Sequence, residues 1–123
     1  MMQLIAVAAG GAIGAVCRYS VGLLAANLVF PWGTMIVNIA GSFLMGLLMA
    51  AFAQVWDASQ ATRLFLTVGI LGGFTTFSAF SLDSILLLEK GQTLAAVFYI
   101  VASVILSLGA LALGMMLIRM IQA

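Results

Sequence analysis

The sequence predicts an all-α membrane protein with four transmembrane helices, the third of them broken. Of the 123 residues, 66% are hydrophobic and 6% are charged, whereas a soluble domain carries roughly 25% charged residues. One span needs about 20 residues, so four spans joined by short loops fill the chain. Glycines and hydroxyl residues interrupt the third apolar stretch, which predicts the break. Residues 1–123 are therefore treated as a single transmembrane domain.

The first span is predicted over residues 3–28. Gly10, Gly14 and Arg18 lie four residues apart and share one helix face. The two glycines form a GxxxG pair, which lets another helix approach closely. A cation inside a span is costly and is by default a functional hypothesis, although an arginine can also extend its charge to the headgroups. An aqueous vestibule that attracts anions would satisfy both interpretations of Arg18.

The second span is predicted over residues 33–55, after a turn at Pro31-Trp32-Gly33. Thr34, Asn38 and Ser42 lie four residues apart on one face. A buried amide such as that of Asn38 must find a partner. The amide can bond a neighbouring helix, present its N–H groups to an anion, or do both, since it carries two donors and one acceptor.

The third span is predicted over residues 61–88 and contains the break near Gly72–Thr76. Glycine is costly in a helix interior, and Thr and Ser offer the backbone alternative hydrogen bonds. Unwound backbone at membrane depth is tolerated where protein buries it or where it lines a cavity, and in transporters such breaks hold ions. The alternative is a glycine-rich surface for tight helix packing. Asp83 is an intramembrane carboxylate that needs a partner.

The fourth span is predicted over residues 93–121. Tyr99, Ser103 and Ser107 lie four residues apart and form a stripe of hydroxyl groups on one face. Isolated serines in a helix are usually satisfied by the backbone behind them. Three hydroxyl groups in line also fit a polar track through the membrane.

The charges do not fix one orientation in the membrane. With four spans, Arg63 and Arg119 lie on the side of the termini, and Lys90 lies on the other side with Arg18. A Lys/Arg bias normally sets orientation, and here it is close to zero. The chain is therefore expected to insert both ways, so that two copies can pair antiparallel and form an inverted repeat by dimerisation.

The residue types predict a protein that is not an enzyme. There is no histidine, and the sequence has no Ser/His/Asp set, Cys/His metal cluster or phosphate-binding glycine loop. It also has no basic patch for nucleic acid. What remains is a set of intramembrane donors, which favours a small anion. The positive ring edges of Phe77 and Phe80 add further sites for it.

The run Gly72-Gly73-Phe74-Thr75-Thr76-Phe77-Ser78-Ala79-Phe80-Ser81 closely resembles the Fluc (CrcB) fluoride-channel family. The resemblance extends over the whole chain. It includes the residues from Gly11 to Tyr19 in the first span and those from Gly33 to Phe43 in the second.

This resemblance implies a fluoride channel, built as an antiparallel dual-topology homodimer with two fluoride pathways in the bacterial inner membrane. It implies a structural sodium ion (Na+) at the dimer centre, held by the backbone carbonyls of Gly72 and Thr75. It places Arg18 in a vestibule. The expected pore residues are Asn38, Phe77, Phe80, Thr34, Ser78, Ser81, Tyr99, Ser103 and Ser107. Fluoride, a second copy and membrane lipid are the expected partners.

Two residues depart from the family's common pattern. Ala79 stands where a threonine is frequent, and Asp83 where a glutamate is frequent. The expected function is passive export of fluoride, which lowers its cytoplasmic concentration. One alternative is a small dual-topology multidrug/proton antiporter, but that class needs a carboxylate in the first span, which has none. The other is a non-transporting membrane assembly subunit that packs through its glycines.

Overall fold

The computed structural model describes residues 1–123 and is helical throughout. Four helical segments are long and apolar enough to cross a membrane, which confirms an all-α multi-pass membrane protein. The spans are Met2–Leu24, Trp32–Gln54, Gln60–Glu89 and Thr93–Gln122. The helices are α1 (Met2–Leu24), α2 (Trp32–Gln54), α3 (Gln60–Leu64), α4 (Gly72–Phe74), α5 (Phe77–Glu89) and α6 (Thr93–Gln122), with a π-helical segment at Phe65–Leu71 between α3 and α4.

The first helix ends at Leu24, whereas hydropathy placed its end at Leu28. The backbone N–H of Ala25 still bonds to Val21, and residues 25–27 then form a turn. The chain has to reverse direction before Pro31, which precedes the first residue of α2. Hydropathy does not register this reversal because the turn residues are themselves mostly apolar.

Two pairs of helices pack at backbone distance. A Cβ atom added to Gly10 of α1 would lie 2.9 Å from the Cα of Gly69. A Cβ atom added to Gly114 of α6 would lie 2.9 Å from the backbone nitrogen of Leu47 on α2. Small residues thus allow α1 to lie against the first half of the third span, and α6 against α2. The close helix approach predicted from the GxxxG pair is confirmed at Gly10.

The backbone of the third span changes conformation between α4 and α5. Thr75 (φ −88°, ψ 159°) and Thr76 (φ −155°, ψ 120°) are extended. Thr76 is the N-cap of α5, since its side chain accepts a hydrogen bond from the backbone N–H of Ala79 at 3.0 Å. The hydroxyl thereby satisfies one of the N–H groups that a helix start leaves free.

Four buried side chains form a small hydrophobic cluster, made of Met35, Leu87, Ala96 and Tyr99. Most of the other large apolar side chains are exposed on the outer surface of the single chain. Apolar side chains facing outward are expected for helices whose surroundings are lipid tails.

Candidate functional site

Asn38 of α2 binds the extended segment of the third span through both of its amide atoms. Its Nδ2 donates to the carbonyl oxygen of Thr76 at 3.0 Å, and the backbone N–H of Thr76 donates to its Oδ1 at 2.8 Å. Two hydrogen bonds to one residue fix the orientation of the amide. Because the amide nitrogen carries two hydrogens, this arrangement leaves one N–H of Asn38 for another acceptor.

Arg18 of α1 binds the third span just before this segment, at Gly73 of α4. Its Nε donates to the carbonyl oxygen of Gly73 at 3.0 Å. Gly73 lies against the backbone of α1, where a Cβ atom would lie 2.6 Å from the carbonyl oxygen of Gly11. The guanidinium is therefore held against the third span, next to the extended segment.

These contacts leave some carbonyl groups of the segment without a hydrogen-bond donor. The backbone N–H of Thr76 would bond Gly72 in a continuous α-helix, but it donates to Asn38. The carbonyl of Thr75 accepts a hydrogen bond from neither backbone nor side chain. Carbonyls of this kind are suited to binding a cation, because each retains both lone pairs.

A cavity of about 440 Å³ opens beside the extended segment, between α2, α5 and α6. Seven residues that line this cavity were either predicted for the pore or the ion site or belong to the extended segment. They are Asn38, Thr75, Thr76, Phe77, Phe80, Ser103 and Ser107. Residues from three of the four predicted spans thus meet at one place.

Ser103 supplies a hydroxyl group that no protein atom satisfies. The residue is 4% exposed, and its Oγ has no hydrogen-bond partner. Buried side-chain polar atoms usually have a partner in the protein or in bound water. Three other serines, Ser20, Ser81 and Ser84, each donate to the carbonyl four residues earlier.

Tyr99 is fully buried one helical turn before Ser103. Its hydroxyl donates to Oδ2 of Asp83 at 3.0 Å, so the intramembrane carboxylate has a partner on α6. The Tyr99 ring also lies 5.3 Å from that of Phe80, which lies 5.6 Å from that of Phe77. The three rings form a continuous aromatic contact, of which Phe77 and Phe80 line the cavity.

A second cavity, of about 300 Å³, lies on the other side of Thr76. Arg18, Thr34 and Ala79 line it. A guanidinium and a hydroxyl group thus lie at the same cavity, and the predicted vestibule role of Arg18 stays a prediction. Ala79, where the family frequently has a threonine, lies at its wall.

Three predicted pore residues, Ser78, Ser81 and Tyr99, line neither cavity. The Ser81 hydroxyl donates to the Phe77 carbonyl at 2.9 Å, and the Ser78 hydroxyl lies 3.2 Å from that of Thr76. Both residues lie on α5, in the turn that follows the N-cap. Their partners within the chain are therefore local.

The match to known sequences agrees with this geometry. Residues 5–115 match the family described as "CrcB-like protein, Camphor Resistance (CrcB)". The chain belongs to the CrcB family. The matched residues run from α1 into α6 and include both cavities and the extended segment. The resemblance found in the sequence is thus confirmed.

Curated CrcB relatives match over nearly their whole length. The "Fluoride-specific ion channel FluC 1" of Nitrobacter hamburgensis is 52% identical over 121 residues, 96% of each chain. The "Fluoride-specific ion channel FluC" of Rhodospirillum centenum is 51% identical over 97% of each chain. That of Rhizobium meliloti is 52% identical over 97% of this chain and 98% of its own.

The sequence did not identify three of the contacts at this CrcB site. Gly73 as the partner of Arg18, Thr76 as the partner of Asn38, and Tyr99 as the partner of Asp83 all lie far away in the chain. In each case the sequence indicated only one of the two partners. An intramembrane polar residue needs a partner, but its position in the sequence does not indicate which residue that partner is.

Proposed function

We propose that this protein is a fluoride-selective channel that lets fluoride leave the bacterial cell passively through the inner membrane. The curated relatives are named fluoride-specific ion channels. Their sequences are about half identical to this one over nearly the full chain. In this chain, the observation that supports it best is the buried, unpartnered Ser103 hydroxyl in a cavity shared with Asn38. An unsatisfied buried donor costs about 1–3 kcal/mol, and a fluoride ion would accept its hydrogen.

The proposed path runs from the Arg18 vestibule past the extended segment into the larger cavity. Arg18 attracts the anion at the opening, and its positive charge lies next to the backbone. The remaining N–H of Asn38 and the hydroxyls of Ser103 and Ser107 then replace the ion's hydration shell. The ring edges of Phe77 and Phe80 carry partial positive charge and offer weak donors between them.

We propose that a second, antiparallel copy closes this path, so that each dimer has two pores. Phe77 is 78% exposed in the single chain, although it lines the larger cavity. Lipid against this wall would leave polar backbone in hydrocarbon, which is strongly unfavourable. A second copy placed there would cover it, and the balanced Lys/Arg distribution permits both orientations. Lipid then covers the remaining apolar surface.

The proposed sodium site lies at the carbonyls of Gly72 and Thr75, where the third span works as a discontinuous helix. The donor set fits: the Thr75 carbonyl accepts no hydrogen bond, and the Gly72 carbonyl has lost its helical donor to Asn38. Hard cations prefer oxygen ligands, and unwound carbonyls bind Na+ in other membrane proteins. Bound sodium would neutralise these carbonyls where two copies meet, which is a structural role.

The two alternative functions lack comparable support. An antiporter for cationic drugs needs a carboxylate in the first span, and α1 contains no Asp or Glu. In an assembly subunit the glycines would serve contacts between proteins. Gly10 and Gly114 instead form contacts within this chain. An assembly subunit would also give no reason for a buried Ser103 hydroxyl without a hydrogen-bond partner.

The test is fluoride efflux from liposomes that contain the purified protein, measured with a fluoride electrode and with chloride as the control ion. Fast fluoride loss without chloride loss is expected. Ser103→Ala should slow the efflux at least several-fold, because the unsatisfied donor is removed. The matched control is Ser20→Ala, since the exposed Ser20 hydroxyl bonds only to the Val16 carbonyl. Absence of fluoride efflux from a folded dimer would refute the proposal.

A further inference from the structure

The carbonyl groups of Gly73 in α4 and of the extended residues Thr75 and Thr76 fall into two classes in this structure. Those of Gly73 and Thr76 each accept a hydrogen bond from a side chain of a neighbouring helix, Arg18 and Asn38 respectively. The carbonyl of Thr75, which lies between them, accepts none. The flanking helices therefore determine which carbonyls remain available.

We infer that Arg18 is a positioning residue of the ion site and acts through its Nε atom as well as its charge. The hydrogen bond from Nε to Gly73 holds the backbone at the end of α4 against α1. This contact prevents the Gly73 carbonyl from turning toward the place where the carbonyls of Gly72 and Thr75 are free. The inference rests on the proposed sodium site.

The contact allows the hydrogen-bond donor of the arginine and its positive charge to be removed independently by substitution. The bond uses Nε, which is the fourth side-chain atom from the backbone. In glutamine the amide nitrogen occupies the same position along the side chain, so Arg18→Gln keeps a donor there and loses the charge. Arg18→Met places a methyl carbon there and loses both. Arg18→Lys keeps the charge but places a methylene group at that position.

The sequence allows the two carbonyl carbons to be observed singly by NMR. Gly73-Phe74 is the one Gly-Phe pair in the chain, and Thr75-Thr76 is the one Thr-Thr pair. Glycine labelled with ¹³C at the carbonyl and phenylalanine labelled with ¹⁵N therefore select the Gly73 carbonyl. Threonine carrying both labels selects the Thr75 carbonyl. The full-length protein in lipid bilayers is used throughout.

The Gly73 signal reports the hydrogen bond, since a hydrogen-bonded carbonyl carbon is deshielded. We expect Arg18→Gln to keep the wild-type position and Arg18→Met and Arg18→Lys to move it upfield. The Thr75 signal should move when sodium replaces potassium in the wild type and in Arg18→Gln, but not in Arg18→Met. Rescue by glutamine without charge would establish the positioning role.

Three results would overturn the inference. If Gly73 keeps its position in Arg18→Met, the hydrogen bond is not what holds this carbonyl. If glutamine and methionine behave alike, the charge alone acts. If Thr75 in Arg18→Met still responds to sodium as the wild type does, the hydrogen bond does not control the ion site. A wild-type Thr75 signal that ignores sodium would instead refute the sodium site, while the Gly73 signal would still decide the role of Nε.

Discussion

Tyr99 and Asp83 join α6 to α5 through a hydrogen bond of 3.0 Å between the phenol and a carboxylate oxygen. Tyr99 is fully buried, and its ring is in contact with those of Phe30 and Phe80. The bond thus gives the Asp83 carboxylate a partner, and it fixes the Tyr99 ring against Phe80, which lines the larger cavity. A charged acceptor makes such a bond stronger than one between neutral groups.

Tyr99→Phe removes this donor and leaves the carboxylate unsatisfied. The cost should be about 1–3 kcal/mol, seen as a lower melting temperature of the purified protein. Tyr19→Phe is the matched control, because Tyr19 is 67% exposed and its hydroxyl has no hydrogen bond. Equal melting temperatures for both variants would show that the Asp83 contact contributes nothing to stability.

Asn38→Asp should abolish most fluoride efflux. The carboxylate oxygen that replaces Nδ2 cannot donate to the Thr76 carbonyl and would face it as a second acceptor. The variant also loses the remaining N–H donor and puts a negative charge beside an anion path. Efflux from liposomes is the measurement, and Asn27→Asp in the loop after α1 controls for the added charge. Near-normal efflux from the folded Asn38 variant would contradict the assigned role.

Neighbouring glycines at the third span should respond differently to alanine. At Gly73 a methyl group collides with the α1 backbone at Gly11, so Gly73→Ala should destabilise the fold by about 1–3 kcal/mol. At Gly72 the nearest atom is the Thr67 carbonyl oxygen at 3.6 Å, which is ordinary contact. Gly72→Ala should therefore leave the fold of one chain intact.

The larger Gly72→Val variant then tests assembly. If the proposed dimer centre lies at Gly72, valine should lower the dimer fraction, measured by single-molecule photobleaching in liposomes. The helical content should stay unchanged in circular dichroism. Full dimerisation of Gly72→Val would place the dimer centre elsewhere.

The orientation in the membrane should respond to single charges. A tag at the C-terminus should be accessible from both sides in the wild type. Gln92→Arg adds a charge to the loop before α6, and Gln60→Arg adds one on the side of the termini. Each should favour one orientation, in opposite senses. Fluoride efflux should then fall for either variant alone and return when both are expressed together. A tag found on one side only in the wild type would rule out the antiparallel dimer.

The sequence by itself determined the class of the protein and the place where the third span changes conformation. Apolar stretches of sufficient length predict four spans, because each must cross the hydrocarbon core. Spacing by four residues predicted the shared face of Tyr99 and Ser103, both of which are buried in the structure. The glycine and hydroxyl run around Gly72–Thr76 identified the place where the backbone becomes extended at Thr75.

The tertiary structure alone decided how these residues pair. Periodicity within a helix gives the direction of a side chain but not the neighbour in that direction, since the neighbour depends on how separate helices pack. Asn38 and Thr76 are 38 residues apart, and Arg18 and Gly73 are 55 apart. Backbone contact at glycines such as Gly10 brings α1 close enough for Arg18 to reach the third span. This packing leaves the Thr75 carbonyl and the Ser103 hydroxyl without protein partners.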